Sequence, residues 1–228
     1  MAARLGDPQQ WARIKREMAG LLAERGLEDL SFAVVASHAA NPSLNGLTMA
    51  QVAAKLKGSD SADAQFEAAR DLMLANGASM VYHFMSDDDV NRIMRHPFVA
   101  IASDAGVLVA GQGAPHPRGY GNNARVLGEY VRTRHVIALE EAVRKMTSLP
   151  AGHFRLDRRG LLKEGYAADV IVFDAARVQD TATFEKPHAY ATGFSHVIVN
   201  GQVVYENGAM TAARPGRVLY GRATEVAR

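Results

Sequence analysis

The sequence predicts an α/β fold built on a parallel sheet, followed by a smaller all-β part. Three observations carry that prediction. Short apolar runs of strand length alternate with amphipathic helical segments up to about residue 150, the pattern of βα units. One of these runs, Phe98-Val99-Ala100-Ile101-Ala102, leads into Asp104 and then the loop Ala114-Pro115-His116-Pro117-Arg118-Gly119-Tyr120-Gly121. A buried strand that ends in a carboxylate and opens onto a Gly/Pro loop is how an α/β barrel presents a catalytic base at its functional face. Beyond residue 160 the helical period gives way to strand runs around Asn200-Gly201, a strong hairpin signal. The boundary is expected between residues 150 and 160, dividing the chain into residues 1–155 and 156–228.

Each element has its own local cause. Asp7 as N-cap and Pro8 at the first helical position open a helix with an apolar face of Trp11, Ile14, Met18, Leu21 and Leu22 that ends before Gly26. Phe32-Ala33-Val34-Val35-Ala36 is a continuous apolar run, the mark of a strand buried on both faces. Thr48 caps a helix carrying Met49, Val52, Ala53 and Leu56, and a second helix spans about Ser61 to Asn76 with Phe66, Ala69 and Met73 on one side and Gly77 beyond its end. Ser79-Met80-Val81-Tyr82-His83-Phe84 reads as the next strand. Ser86 with Asp89 three residues on resembles a capping box for a helix that stops at His96-Pro97. After the Asp104 strand and its loop, residues 125–132 are expected to be helical, and Leu139, Ala142, Val143 and Met146 mark a further helix closed by Pro150. Ala168–Phe173, His196–Val199 and Val203–Tyr205 read as strands.

Composition narrows the function. Lys plus Arg number 26 against 24 Asp plus Glu, and the arginines are scattered, not gathered into a stripe, which argues against nucleic acid as the partner. The chain has no cysteine, which excludes disulfides and thiolate metal ligands and fits a reducing cytoplasm. No apolar stretch approaches the ~20 residues of a membrane span, and the N-terminus lacks the apolar core of a signal peptide. The expectation is a cytoplasmic globular protein.

A catalytic metal needs several imidazoles or carboxylates converging on one point, often two from one strand or helix at short spacing. The eight histidines here include no such pair, so the spacing supports no metal ligand, and an isolated histidine is by default a surface or hydrogen-bonded structural residue. His116 is the exception worth testing, because it lies in the loop that follows the Asp104 strand. Asp104 itself reads either as a base or as an ordinary turn residue. Asp87-Asp88-Asp89 is explained by the dipole of the helix it begins. Tyr82 and Met85 fall at a strand end, where side chains line pockets or simply pack. Arg92, one turn into the following helix, is by default solvated, although a substrate carboxylate would suit its fork.

Taken together, these segments resemble the N-acyl-D-amino-acid deacylase (D-aminoacylase) family of the amidohydrolase superfamily. The stretches that carry the resemblance are His83-Phe84-Met85-Ser86-Asp87-Asp88-Asp89-Val90, Ile93-Met94-Arg95-His96-Pro97, Ala102-Ser103-Asp104, His116-Pro117-Arg118-x-Tyr120-Gly121, Leu139–Ala151, Gly165–Asp174, Val199-Asn200-Gly201 and Arg214-Pro215-Gly216-Arg217. The resemblance covers nearly the whole chain. It implies the second, C-terminal half of a distorted (β/α)8 TIM-like barrel, followed by the C-terminal strands of a small β-sandwich. It further implies zinc in the complete enzyme, with a metal-bound hydroxide attacking the acyl carbonyl. Asp104 matches the aspartate that takes a proton from that water and passes it to the departing amine. Tyr82 and Met85 match residues that line the side-chain pocket, and Arg92 one that helps hold the α-carboxylate.

Two departures stand out. Ala102 and Ala105 flank the Ser-Asp pair where the family usually has glycine, which changes loop freedom without removing the base. The family's metal-holding residues lie in the first half of the barrel, so this chain alone is expected to hold no zinc. The expected partners are therefore an N-acyl-D-amino acid substrate and either the missing N-terminal barrel half or a second copy of the chain. A hydrolase of cyclic amides and a non-catalytic or split-gene subunit are the alternatives.

Overall fold

The computed structural model describes residues 1–220. They form a mixed α/β protein that divides into two compact units. The first holds residues 1–85, 108–116 and 184–187; the second holds residues 86–107, 117–183 and, among the described residues, 188–220.

In the first unit the short helix α1 (Ala2–Gly6) leads into α2 (Pro8–Glu24). The Asp7 side chain accepts the Gln10 N–H at 2.8 Å with Pro8 at the first turn, as the sequence predicts. Trp11 and Leu22 are buried with Phe66, and Ile14, Met18, Leu27 and Phe32 pack around them, whereas Leu21 is exposed. Strand β1 (Ala33–Ser37) is followed by α3 (Met49–Lys57) and α4 (Ala62–Leu74), then β2 (Ser79–Tyr82). Thr48 and Gln51 form the reciprocal capping box at the start of α3, and the core beneath gathers Val35, Leu44, Met49, Val52, Ala53 and Leu72.

The pairing of β1 with β2 is antiparallel, with Val34 opposite Val81 and Val35 opposite Met80. The parallel sheet expected from the strand–helix alternation is thus corrected here. A parallel pair needs a crossover, usually one helix. Two helices that pack on each other separate these strands, so the connection doubles back and β2 enters beside β1 in the opposite sense.

The second unit opens with α5 (Asp87–Arg95). Ser86 Oγ accepts the Asp89 N–H at 3.1 Å and donates to the Asp89 carboxylate at 2.8 Å. The expected strand over residues 98–102 does not form. Its backbone has no strand partner among the described residues, and Ile101 donates its N–H to the Lys145 carbonyl at 3.1 Å, tying the segment to a helix instead.

Helix α6 (Arg118–Arg125) begins earlier than the sequence suggests and runs into a π-helical stretch (Val126–Thr133). It is followed by α7 (Leu139–Met146) and α8 (Ser148–His153). Pro150, expected to close α7, lies within the first turn of α8, a position proline tolerates because it lacks an N–H to satisfy.

A four-stranded antiparallel sheet completes this unit: β3 (Val170–Phe173), β4 (Phe194–Val199), β5 (Gln202–Glu206) and β6 (Ala209–Met210), in that order. The β4–β5 hairpin turns on Asn200-Gly201, and the β5–β6 hairpin on Asn207-Gly208. All four turn residues have positive φ, the geometry of the tight turns that match strand twist. Among the described residues no helix is long and apolar enough to cross a membrane.

Candidate active site

The residues singled out by the sequence fall into both units. Tyr82, Met85 and His116 belong to the first, Arg92 and Asp104 to the second.

In the first unit Tyr82 closes β2 and is 55% exposed, and Met85 follows it at 66%. Around them stands an aromatic cluster that sequence reading did not anticipate. The rings of Phe32, Tyr82 and Phe84 form a triangle with centroids 6.0–6.1 Å apart. Next along the chain, the His83 ring packs edge-on against Phe184 at 4.3 Å, and His116 packs on the same phenyl ring at 4.9 Å. The structure therefore brings His116 to the end of β2 through Phe184. Edge-to-face arrangements of this kind place ring hydrogens on a π face and contribute about 0.5–1.5 kcal/mol per pair. Phe184 lies in the segment Thr183-Phe184-Glu185-Lys186-Pro187, which has no helix or strand period that would have flagged it.

In the second unit Asp104 adopts φ +48°. This left-handed region is uncommon for residues other than glycine, and aspartate is among the few that enter it readily. Its side chain is 83% exposed, and Arg118 Nη2 donates to its Oδ2 at 2.6 Å. That ion pair fixes the direction of one carboxylate oxygen and leaves the other toward solvent. Being exposed, it adds little to stability.

The approach to Asp104 is held from below by Lys145 on α7, which is fully buried. Its ammonium donates to the carbonyls of His96 and, at 2.9 Å, Val99, and Glu141 lies 3.5 Å away. Hydrogen bonding from Arg144, opposed by partial burial and helped by the nearby Lys145 charge, holds the Glu141 carboxyl down to about 2. Arg92 is exposed on α5, and among the described residues no ion pair joins it to Asp104.

Two of the cavities among the described residues lie in the second unit. One, of about 280 Å³, is apolar and includes Leu127, Val131, Leu139 and Phe173; the other, of about 390 Å³, is lined mainly by arginines and turn residues of the sheet. None of Tyr82, Met85, Arg92, Asp104 or His116 lines either.

Among the described residues no group of three or more His, Asp or Glu side chains is placed to hold an ion. The donor set of the described residues does not by itself fit a catalytic zinc.

Comparison with known proteins bears on all of these residues at once. Residues 12–205 match the amidohydrolase family. The chain is 42% identical over 142 residues to an N-acyl-D-aspartate deacylase from Alcaligenes xylosoxydans xylosoxydans, covering 62% of this chain and 28% of that protein. A D-aminoacylase from the same organism is 45% identical over 142 residues, 62% of this chain and 29% of its own length.

Among solved structures, the N-acyl-D-glutamate deacylase from Bordetella bronchiseptica, complexed with zinc and a phosphonate inhibitor that mimics the tetrahedral intermediate, superposes with a TM-score of 0.73 at 32% identity. The match covers 94% of this chain and 48% of that one. The chain thus spans less than a third of the two curated relatives and about half of the solved one. The match spans the strands, helices and loops that carry Tyr82, Asp104 and His116, and the chain belongs to the amidohydrolase family, within which it resembles the N-acyl-D-amino-acid deacylases.

Proposed function

We propose that this chain is the C-terminal part of a zinc-dependent hydrolase that removes the acyl group from N-acyl-D-amino acids. In this reading residues 1–155 are the C-terminal half of a (β/α)8 barrel and residues 156–228 contribute strands to a small β-sandwich. The observation that carries it is the match across residues 12–205, together with relatives that are all deacylases of N-acyl-D-amino acids.

The chemistry assigned to this chain is proton transfer. The Asp104 carboxylate takes a proton from the attacking water and delivers it to the amine nitrogen as the C–N bond breaks. Exposure and a single fixed hydrogen bond suit that task, because one oxygen of the carboxylate stays available. Tyr82, within its cluster of aromatic rings, and the exposed Met85 offer an apolar surface to the substrate side chain. His116, which packs on Phe184, is assigned to substrate binding, and Arg92 supplies the fork for the α-carboxylate. Zinc belongs to the complete enzyme, and its ligands are assigned to polypeptide outside this chain, either a missing N-terminal barrel half or an equivalent partner. Zero cysteines support a cytoplasmic setting.

The test is reconstitution. The chain is combined with a polypeptide supplying the preceding part of the barrel and zinc, and is assayed on N-acetyl-D-amino acids, their L counterparts and hydantoins. Hydrolysis of the linear D substrates that requires both polypeptides is expected. Turnover of hydantoins alone would move the assignment to cyclic amides, and no turnover in a well-formed complex would leave the chain a non-catalytic subunit.

A further inference from the structure

Three motifs that take no part in the proton transfer meet around the larger cavity of the second unit. The loop Gly165–Ala168, the turn Asn200-Gly201 and Arg217 come together there with Arg158 and Arg159, enclosing about 390 Å³. The loop, the turn and Arg217 lie well apart in sequence, so their convergence is a product of the fold.

The floor of this cavity is a fixed polar network. Arg159, only 15% exposed, donates to the Asp169 carboxylate and, at 2.6 Å, to the Asn200 side-chain oxygen. Asp169 also accepts the Asn200 backbone N–H at 2.8 Å, and the Asn200 amide donates to the Pro215 carbonyl at 2.7 Å. Burial pushes the Asp169 carboxyl up, but the hydrogen bonds from Asn200 and Arg159 outweigh it and hold it below its ordinary value. Arg159 is therefore matched in charge and locked in place.

The other two lining guanidinium groups are not so matched. Arg158 is 68% exposed and forms only a loose, solvent-exposed ion pair with Asp157 at 3.6 Å, which screening makes weak. Arg217 has no carboxylate partner among the described residues. Near them the Lys163 ammonium lies 5.8 Å from the centre of the Tyr166 ring, adding a further positive charge beside the lining. The cavity thus offers two donor forks over a rigid floor, with more cations than carboxylates around it, and an aromatic face at one side.

We infer that this cavity is a binding site for a small oxyanion, a phosphate group or a carboxylate-bearing molecule, gripped by Arg158 and Arg217 above the Arg159–Asp169–Asn200 floor. Planar guanidinium forks match the oxygen spacing of both groups. The cavity is separate from the residues assigned to deacylation, so the inference stands apart from that assignment.

The experiment is isothermal titration of the full chain with sodium phosphate and, separately, disodium succinate, at constant ionic strength set by sodium chloride. Saturable one-to-one binding of at least one probe is expected. Binding of phosphate alone assigns a phosphate ligand, and binding of succinate alone a carboxylate. In the variant Arg158→Ser/Arg217→Ser the affinity is expected to fall ~tenfold or more, with circular dichroism unchanged because both side chains are exposed. Asp157→Asn, which removes a lining carboxylate, is expected to tighten binding, with circular dichroism and the thermal midpoint recorded beside it. No saturable heat with either probe, or a double variant that binds as well as the parent, overturns the inference. Since no turnover is read, failure here and failure of the deacylase assignment are distinguishable.

Discussion

At the scale of single residues, Asp104 and Lys145 show how differently two charged groups serve one segment. Asp104 is exposed and held by one ion pair to Arg118; Lys145 is buried and satisfied by backbone carbonyls of the segment that leads to Asp104. A buried ammonium is tolerated only where such acceptors surround it. Lys145→Met keeps the volume but removes the donors, and is expected to destabilise the chain by about 1–2 kcal/mol; a denaturation midpoint equal to wild type would contradict this. Glu141 provides a pH test. Its carboxyl is lowered from 4.5 to about 2, first by the Arg144 hydrogen bond. A depressed folded-state value stabilises the protein above the unfolded value, and that contribution is lost as pH falls from about 4.5 through about 2. Glu141→Gln should therefore flatten the acid limb of a stability-versus-pH curve in that window, and an unchanged limb would refute the coupling. The position of Asp104 was legible because a short side chain between an apolar run and a Gly/Pro loop stands out in sequence; its role as base is a proposal. Lys145 was not, because a lysine on an amphipathic helix is ordinarily solvated, and only the tertiary approach of residues 96–101 buries it.

At the scale of elements, the parts read correctly are those whose cause is local. Asp7-Pro8, Thr48 with Gln51 and Ser86 with Asp89 each fix a helix start through hydrogen bonds made within three residues, so the sequence contains the whole interaction. The Asn200-Gly201 hairpin is read for the same reason, and Asn207-Gly208 carries the same signal at the β5–β6 turn. What failed depends on distant partners. The 98–102 run has strand character, but a strand exists only where a neighbour pairs with it, and here its backbone bonds to α7. The sense of β1 and β2 likewise depends on how α3 and α4 pack. Glycines separate the two kinds of cause experimentally. A Cβ at Gly193 would lie 2.4 Å from Val178 Cα, with φ at +87°, whereas Gly201, at φ +80°, faces open space. Gly193→Ala is expected to cost about 2–4 kcal/mol and Gly201→Ala about 1 kcal/mol; thermal midpoints that fall equally would contradict the steric account of position 193.

At the scale of the whole molecule, each unit leaves apolar surface uncovered. Tyr82, Phe84 and Met85 are exposed in the first, and Phe98, Leu162 and the edge-strand residues Ile171 and Val172 in the second. Contiguous apolar surface and unpaired strand edges favour association. The isolated chain is expected to self-associate in light scattering and to bind an exposed-hydrophobe dye, both effects falling when a complementary barrel polypeptide is added; a monodisperse, dye-silent monomer would contradict this. The family was legible in sequence because its motifs are short and contiguous. The division into two units was not, since residues 108–116 and 184–187 join the first unit from far along the chain. The most direct measurement is the turnover of N-acetyl-D-amino acids by the zinc-loaded assembly of this chain with its complementary polypeptide, comparing wild type with Asp104→Asn. Loss of a general acid–base group lowers kcat by about 10²–10⁴-fold, and a fall in that range with substrate affinity retained is the predicted result. Wild-type turnover in the Asp104→Asn assembly would remove the chain's assigned role.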